Sequence, residues 1–275
     1  MKIILKKLKK VLSYIIVVVL TILITTCIYL SILNNTILNK DNILTMIDNS
    51  SYYTRVKNET LNLLEGYIQQ SGFDKTILES AITEDIIKED IHNIINGIYT
   101  NTKISSSDVT LNLQNNIDKY IKDNNKVLDI AQKNSIKELI TLMSNEYNNN
   151  IFPSIGIPYL SDAIKVASNY YLTINNYVII TTIILIVILI LLSFKNSILY
   201  LSIALLSTSF LILSIYLYTY ITLDLSNISI HSESITTMIN LIISSISSKV
   251  YTYSFIIFII SIIVCYLSCF KKFKK

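Results

Sequence analysis

Hydrophobic positions along this chain fall into two kinds of pattern. Four stretches, 11–33, 177–194, 198–220 and 250–270, are apolar almost without interruption and contain no charged side chain. A helix rises about 1.5 Å per residue and a bilayer's hydrocarbon core is about 30 Å thick, so runs near 20 apolar residues are long enough to span. Elsewhere, apolar residues recur every three or four positions, as on one face of a helix, and no useful length of strand-like alternation appears. The pattern predicts an all-α membrane protein with four transmembrane helices. Residues 34–176, between the first and second spans, form a helical-bundle domain.

Within 34–176 the helices can be read one at a time. Tyr53, Val56, Thr60, Leu63, Leu64, Tyr67 and Ile68 share a face, and Ser71-Gly72 ends that helix with a left-handed cap. Asp74 caps a short helix, and Thr83 precedes the acids Glu84 and Asp85 at the start of the next. Ile87, Ile91, Ile94 and Ile98 form its buried stripe. Ser105-x-x-Asp108 and Ser135-x-x-Glu138 fit the capping-box pattern. The first opens a helix carrying Val109, Leu113, Ile117 and Tyr120. The second opens one carrying Ile136, Leu139, Ile140, Met143 and Tyr147. About 140 residues suffice for a core without disulfides.

Pro153, Gly156 and Pro158 interrupt this series, which makes the joint to the second span a candidate hinge. A last helix from about Tyr159 presents Leu160, Ile164, Ala167 and Tyr171. In 221–249 a second amphipathic stretch has Ile235, Met238, Ile239, Ile242 and Ile246 on one side. Thr236, Thr237, Asn240, Ser244 and Ser247 lie opposite, with no cation before Lys249. Interfacial helices usually carry cations on the polar face, so this one is expected to pack under the outer domain or lie at the surface.

Composition sharpens the membrane reading. Of 275 residues, 52% are hydrophobic and 15% charged, where a soluble domain has about 25% charged. The scarcity of Gly, Pro and Trp beside abundant Ile, Asn, Lys and Tyr points to an AT-rich bacterial genome. Charge decides orientation. Lys2, Lys6, Lys7, Lys9 and Lys10 precede the first span, Lys271, Lys272, Lys274 and Lys275 follow the last, and Lys195 lies in the 195–197 turn. All nineteen acids lie in 34–176 or 221–249. Positive charge stays inside, so 1–10, 195–197 and 271–275 are expected in the cytoplasm and 34–176 and 221–249 outside a bacterial cell membrane. Tyr14, Tyr29, Tyr177, Tyr200, Tyr220, Tyr251 and Tyr266 supply the interfacial belt. The lysines do not mark one folded surface, which argues against a nucleic-acid partner.

The first span could also be read as a signal sequence, since Ile24-Thr25-Thr26-Cys27 resembles a lipoprotein cleavage box. Its apolar run continues past Cys27, however, and no A-x-A-like site follows, so an uncleaved anchor is expected. Cys27, Cys265 and Cys269 all lie in spans, which leaves the outer regions without a disulfide and the chain without a CxxC pair.

Candidate chemistry is sparse. Asp85, Glu89 and His92 share a helix face, and Glu89-x-x-His92 matches half of a di-metal bundle motif. Such sites need two halves, and the other histidine, His231, has no partner at that spacing. A solvated acidic face is the expectation, with no metal, cofactor or catalytic residue. Nucleophile elbows and zinc-protease motifs are absent. The spans hold no ionisable groups of the kind that proton-coupled pumps and intramembrane proteases keep. They do hold hydroxyls: Thr21 and Thr25 on the first, Ser207, Thr208 and Ser209 on the third, and Ser254, Ser261 and Ser268 with Cys265 on the fourth. A polar conduit is one reading of these positions; the commoner one is close helix packing, with small residues letting backbones approach and hydroxyls bonding across.

The segments Tyr67-Ile-Gln-Gln-Ser-Gly-Phe, Leu78-Glu-Ser-Ala-Ile-Thr-Glu-Asp-Ile-Ile-Lys-Glu-Asp-Ile and Ile94-Ile-Asn-Gly-Ile-Tyr are similar to those of uncharacterised four-span membrane proteins of low-GC Gram-positive bacteria. That resemblance covers about the first 150 residues and implies an architecture and a location. The order of anchor, outer domain and three further spans also resembles permease subunits of mechanotransmission-type ABC systems. Those receive an ATPase on a cytoplasmic surface, for which Lys195-Asn196-Ser197 leaves little room. The sequence therefore points to a non-enzymatic membrane protein. Its outer domain would bind a protein, wall polymer, peptide or lipid of the envelope, and a transport-related subunit is the alternative.

Overall fold

The computed structural model describes residues 2–102, 108–151, 156–194, 196–224 and 232–273. Lys195, His231, Ser105 and Pro153, on which parts of the sequence reading rest, lie outside the described residues. Ten helices follow one another in the described residues, with no strand among them: α1 (Lys2–Thr36), α2 (Lys40–Asp48), α3 (Tyr52–Ser71), α4 (Thr76–Ala81), α5 (Glu84–Thr100), α6 (Val109–Asp123), α7 (Ile130–Ile151), α8 (Gly156–Leu192), α9 (Ser197–Thr222) and α10 (Glu233–Phe273). Four of them, α1, α8, α9 and α10, are long and apolar enough to cross a bilayer. The chain is a multi-pass membrane protein, all helical in its described residues.

Two compact units divide the chain. One comprises 1–39, 167–228 and 242–275, and the other 40–166 with 229–241. In the first unit, α1 and α9 run parallel. Thr21 donates to the Ala204 carbonyl at 3.4 Å, Thr208 to the Thr21 carbonyl at 3.4 Å, and the Tyr29 hydroxyl to the Ile212 carbonyl at 2.8 Å. Leu20, Ala204 and Ile212 are fully buried along this seam. At one end of it, Ser13 and Ser193 share a 2.7 Å hydrogen bond and Tyr14 meets Tyr200 edge to face. At the other, the Lys249 ammonium donates to the Asn35 carbonyl, one of the last-turn carbonyls that α1 cannot satisfy itself.

The α9–α10 seam is made of hydroxyls. Ser202 donates to the Ser261 carbonyl at 3.1 Å, and Ser209 and Ser254 donate to each other's carbonyls at 3.0 and 2.9 Å. The Tyr216 hydroxyl bonds Ser247. Each step of seven residues along α9 is matched by a step of seven back along α10, so the helices are antiparallel in a fixed heptad register. Hydrocarbon offers no hydrophobic drive between helices; small residues that let backbones approach, and hydrogen bonds across them, supply the association. Ser202, Ser209, Ser254 and Ser261 are buried in this role, Thr208 is buried in the α1 seam and Ser268 is also buried, whereas Ser207 is exposed and Cys265 half-buried. On α8 many apolar side chains are left free, Ile180, Ile183 and Leu191 being 56%, 57% and 76% exposed, as suits a helix facing lipid, while Leu189 is buried against Leu20 and Ala204.

In the second unit, α3 packs on α5 and α7, α4 on α6, and α2 on α5. Leu64, Ile68, Ile82, Ile87, Leu113, Ile117, Met143 and Tyr147 are wholly buried. The cap at Gly72 holds, with φ +71° and its N–H on the Gln69 carbonyl at 3.2 Å. Asp74 accepts from Thr76 N–H at 2.8 Å, and the Thr83 hydroxyl from Ile86 N–H at 3.4 Å. Leu63, 44% exposed, falls outside the buried stripe of α3 because it lies about 100° round the helix from Leu64.

Several boundaries differ from the sequence expectation. Asp108 is itself the N-cap of α6, accepting from Leu111 N–H at 3.0 Å. Ser135 lies inside α7, which starts earlier on a reciprocal box: Asp129 accepts from Gln132 N–H at 2.7 Å while Gln132 accepts from Asp129 N–H at 3.0 Å. Pro158 stands in the first turn of α8, where a missing N–H costs nothing, so it starts the helix instead of interrupting it. From there α8 runs unbroken to Leu192. The amphipathic stretch from Ile235 is likewise continuous with the fourth span inside α10.

Candidate functional site

The face of α5 departs from its expected stripe in an informative way. Ile87, Ile91, Ile95 and Ile98 are buried, but Ile94, about 20° beyond Ile87 at the edge of that arc, is only half-buried. Ile94 fronts a cavity of about 390 Å³ within the second unit. The α5 wall is Ile91, Ile94, Ile95 and Ile98. Ile47 comes from α2, Tyr52, Val56 and Glu59 from α3, Ile151 from the end of α7, and Leu160 from the start of α8. Ser232, Ser234, Ile235 and Met238 close it from the start of α10. No Lys or Arg side chain is among the lining residues, and Tyr52 is the single aromatic.

Glu59 anchors the polar edge of this cavity. Its carboxylate accepts from Ser234 N–H at 2.9 Å, from the Ser232 hydroxyl at 3.1 Å and from the Ser234 hydroxyl. It thereby satisfies first-turn donors of α10 that the helix itself cannot, as an acid should at the positive end of the helix dipole. Burial alone would raise the Glu59 carboxyl. The Ser234 hydroxyl and backbone N–H, with Ser232, outweigh it and hold the group below the usual carboxylate range. One turn away, Arg55 pairs with Glu233; that pair is largely exposed and contributes little.

Asn150, which donates to the Thr60 hydroxyl at 3.0 Å, also lines the cavity, as does Tyr52. The Tyr52 phenol is pushed up to about 12, first by burial and then by the Glu59 charge. It therefore keeps its proton and stays a donor. Among the described residues its hydroxyl has no hydrogen-bond partner, and no side-chain N or O atom is both sealed from solvent and unsatisfied. The Tyr52 hydroxyl is thus available to whatever occupies the cavity. Two larger clefts, about 730 and 790 Å³, flank the first half of α7. Gln70, Lys126, Gln132 and Glu138 line the one, and Asp118, Lys133 and Lys137 the other. Their mixed polar walls lack the enclosed apolar character of a ligand pocket.

The face formed by Asp85, Glu89 and His92 is divided by the structure. Asp85 and Glu89 are exposed, while His92 turns to α2 and α3. Tyr53 donates to Asp48 Oδ1 at 2.6 Å, and His92 Nε2 lies 2.9 Å from the Tyr53 oxygen and 3.0 Å from the same Asp48 oxygen. With the Tyr53 proton given to Asp48, both neighbours of Nε2 are acceptors, so Nε2 carries the imidazole proton. Lys88 completes the cluster, 3.3 Å from Asp48 Oδ1 and over the Tyr53 ring. Among the described residues no three His, Cys, Asp or Glu side chains converge as a metal site would require.

The Tyr53 hydrogen bond, with those of His92 and Lys88, holds the Asp48 carboxyl below its ordinary value of 3.8. A depressed folded value contributes stability that is complete above the unfolded value and lost as pH falls through the folded one. Asp48→Asn is therefore expected to flatten the acid limb below about pH 4, read by circular dichroism melts of the full chain in detergent from neutral pH to about pH 3. An unchanged limb would assign the acid sensitivity elsewhere.

No family model matches the chain, and neither a curated protein nor a solved structure matches it.

Proposed function

We propose that this multi-pass membrane protein is a non-enzymatic component of the bacterial envelope. In this reading the 40–166 unit stands outside the cell membrane and takes an envelope ligand in the Tyr52–Glu59 cavity. The cavity carries the proposal: about 390 Å³ of mostly aliphatic wall with a few polar groups at one edge is the composition of a small-molecule site. Sorting of lysines and carboxylates along the sequence supports the orientation, with both termini and the turn after α8 in the cytoplasm. The contacts Ser13–Ser193 and Tyr14–Tyr200 support it further, since they put the basic end of α1 beside that turn.

Two measurements test this reading. In intact cells carrying a chain with Cys27, Cys265 and Cys269 replaced, Asp118→Cys reacts with an impermeant maleimide, whereas Asn196→Cys reacts only after permeabilisation. The reverse result places the cavity in the cytoplasm. Native mass spectrometry of the full chain extracted from membranes is expected to show a bound small molecule that is lost in Ile94→Phe.

A further inference from the structure

From the chemistry of the cavity wall we infer the ligand class: a single aliphatic chain ending in an uncharged hydroxyl headgroup. The inference rests on the ligand-binding reading and deepens it. The wall is built from Ile, Val, Leu and Met side chains of α2, α3, α5, α7, α8 and α10. Such a wall rewards hydrocarbon and offers no second aromatic face on which a sugar ring could lie, which disfavours a wall polymer. A volume of about 390 Å³ corresponds to about thirteen waters at about 30 Å³ each, enough for one alkyl chain.

The polar edge selects the headgroup. No cation lines the cavity, and the Glu59 carboxylate is held ionised by the Ser232 and Ser234 donors, so an anionic carboxylate or phosphate would meet like charge without compensation. The Tyr52 hydroxyl is a donor with no partner among the described residues, and it stands near an acceptor in Glu59. A hydroxyl is both acceptor and donor: it can accept from Tyr52 and donate to the remaining acceptor capacity of Glu59.

The test uses the full chain in lipid nanodiscs and a homologous series of photoactivatable n-alkyl alcohols, with the matching n-alkanoic acids as controls. In one arm the alcohol is incorporated with the lipid; in the other a short, water-soluble alcohol is added outside. Labelling is expected on the 91–98 and 235–238 peptides, and the stronger arm names the source as bilayer or aqueous. Affinity should rise about fourfold per methylene until the chain outgrows the cavity. Tyr52→Phe, which keeps the ring and the fold, should weaken the alcohol about three- to tenfold. Glu59→Gln should admit the acids, and Ile94→Phe should abolish labelling. Acids that label the native chain as well as alcohols do overturn the headgroup assignment while leaving the cavity as a ligand site. No labelling of either peptide by any member of the series overturns the ligand-binding reading as well.

Discussion

Tyr147→Ala is expected to cost the 40–166 unit about 3–5 kcal/mol, a large share of the roughly 5–15 kcal/mol that a folded domain has to lose. The ring is wholly buried on α7, and its hydroxyl donates to Oδ2 of Asp90, itself wholly buried on α5. Truncation therefore leaves a cavity where α3, α5 and α7 meet and takes a donor from a buried carboxyl. Tyr147→Phe separates the two effects. It retains the ring and removes one hydrogen bond to that carboxyl, with an expected cost of about 1.5–3 kcal/mol. Hydrogen exchange of the full chain in detergent, followed on the 84–100 and 136–150 peptides, reads both variants. Equal protection in Tyr147→Phe and the native chain would show that the hydroxyl contributes nothing.

An all-or-none result is expected for the α9–α10 seam. In a chain with the native cysteines replaced, Ser209→Cys with Ser254→Cys should form a disulfide under a membrane-permeant oxidant, because the two hydroxyl oxygens lie 3.1 Å apart. Ser209→Cys with Ser261→Cys should not, since a heptad offset separates those positions by about 10 Å along the helix at 1.5 Å per residue. Cross-linked peptides read by mass spectrometry decide it. Linking of the offset pair, or failure of the matched pair, would break the register described here.

The spans were legible in the sequence because hydrocarbon imposes a condition on every residue: 11–33 or 198–220 can be read without knowing any neighbour. Amphipathic periodicity likewise revealed α3, α5, α6 and α7, since each buries one face. Boundaries were less legible where two local signals competed. Ser135-x-x-Glu138 and Asp129-x-x-Gln132 are both capping patterns, and the reciprocal hydrogen bonds of the second determine where α7 begins. The candidate site lay beyond sequence reading for a different reason. Glu59 meets Ser234 across 175 positions, and no local spacing encodes such a meeting. His92 illustrates the converse: its helical neighbours Asp85 and Glu89 suggested a shared site, yet its partners come from Asp48 and Tyr53 on other helices. Ile94, at the edge of the isoleucine arc of α5, fits the helical period as well as its buried neighbours do, and its half-exposure is visible only once the neighbouring helices are in place.

The serine seam also constrains how this chain can change over time. Ser202, Ser209 and Tyr216 meet Ser261, Ser254 and Ser247 in one common phase. An added or deleted residue within either stretch would swing every later position by about 100° and turn its hydroxyls out towards the acyl chains. Point substitutions can be absorbed there one contact at a time, but codon gains and losses cannot. Variation in length among descendants of this sequence should accordingly spare 202–216 and 247–261.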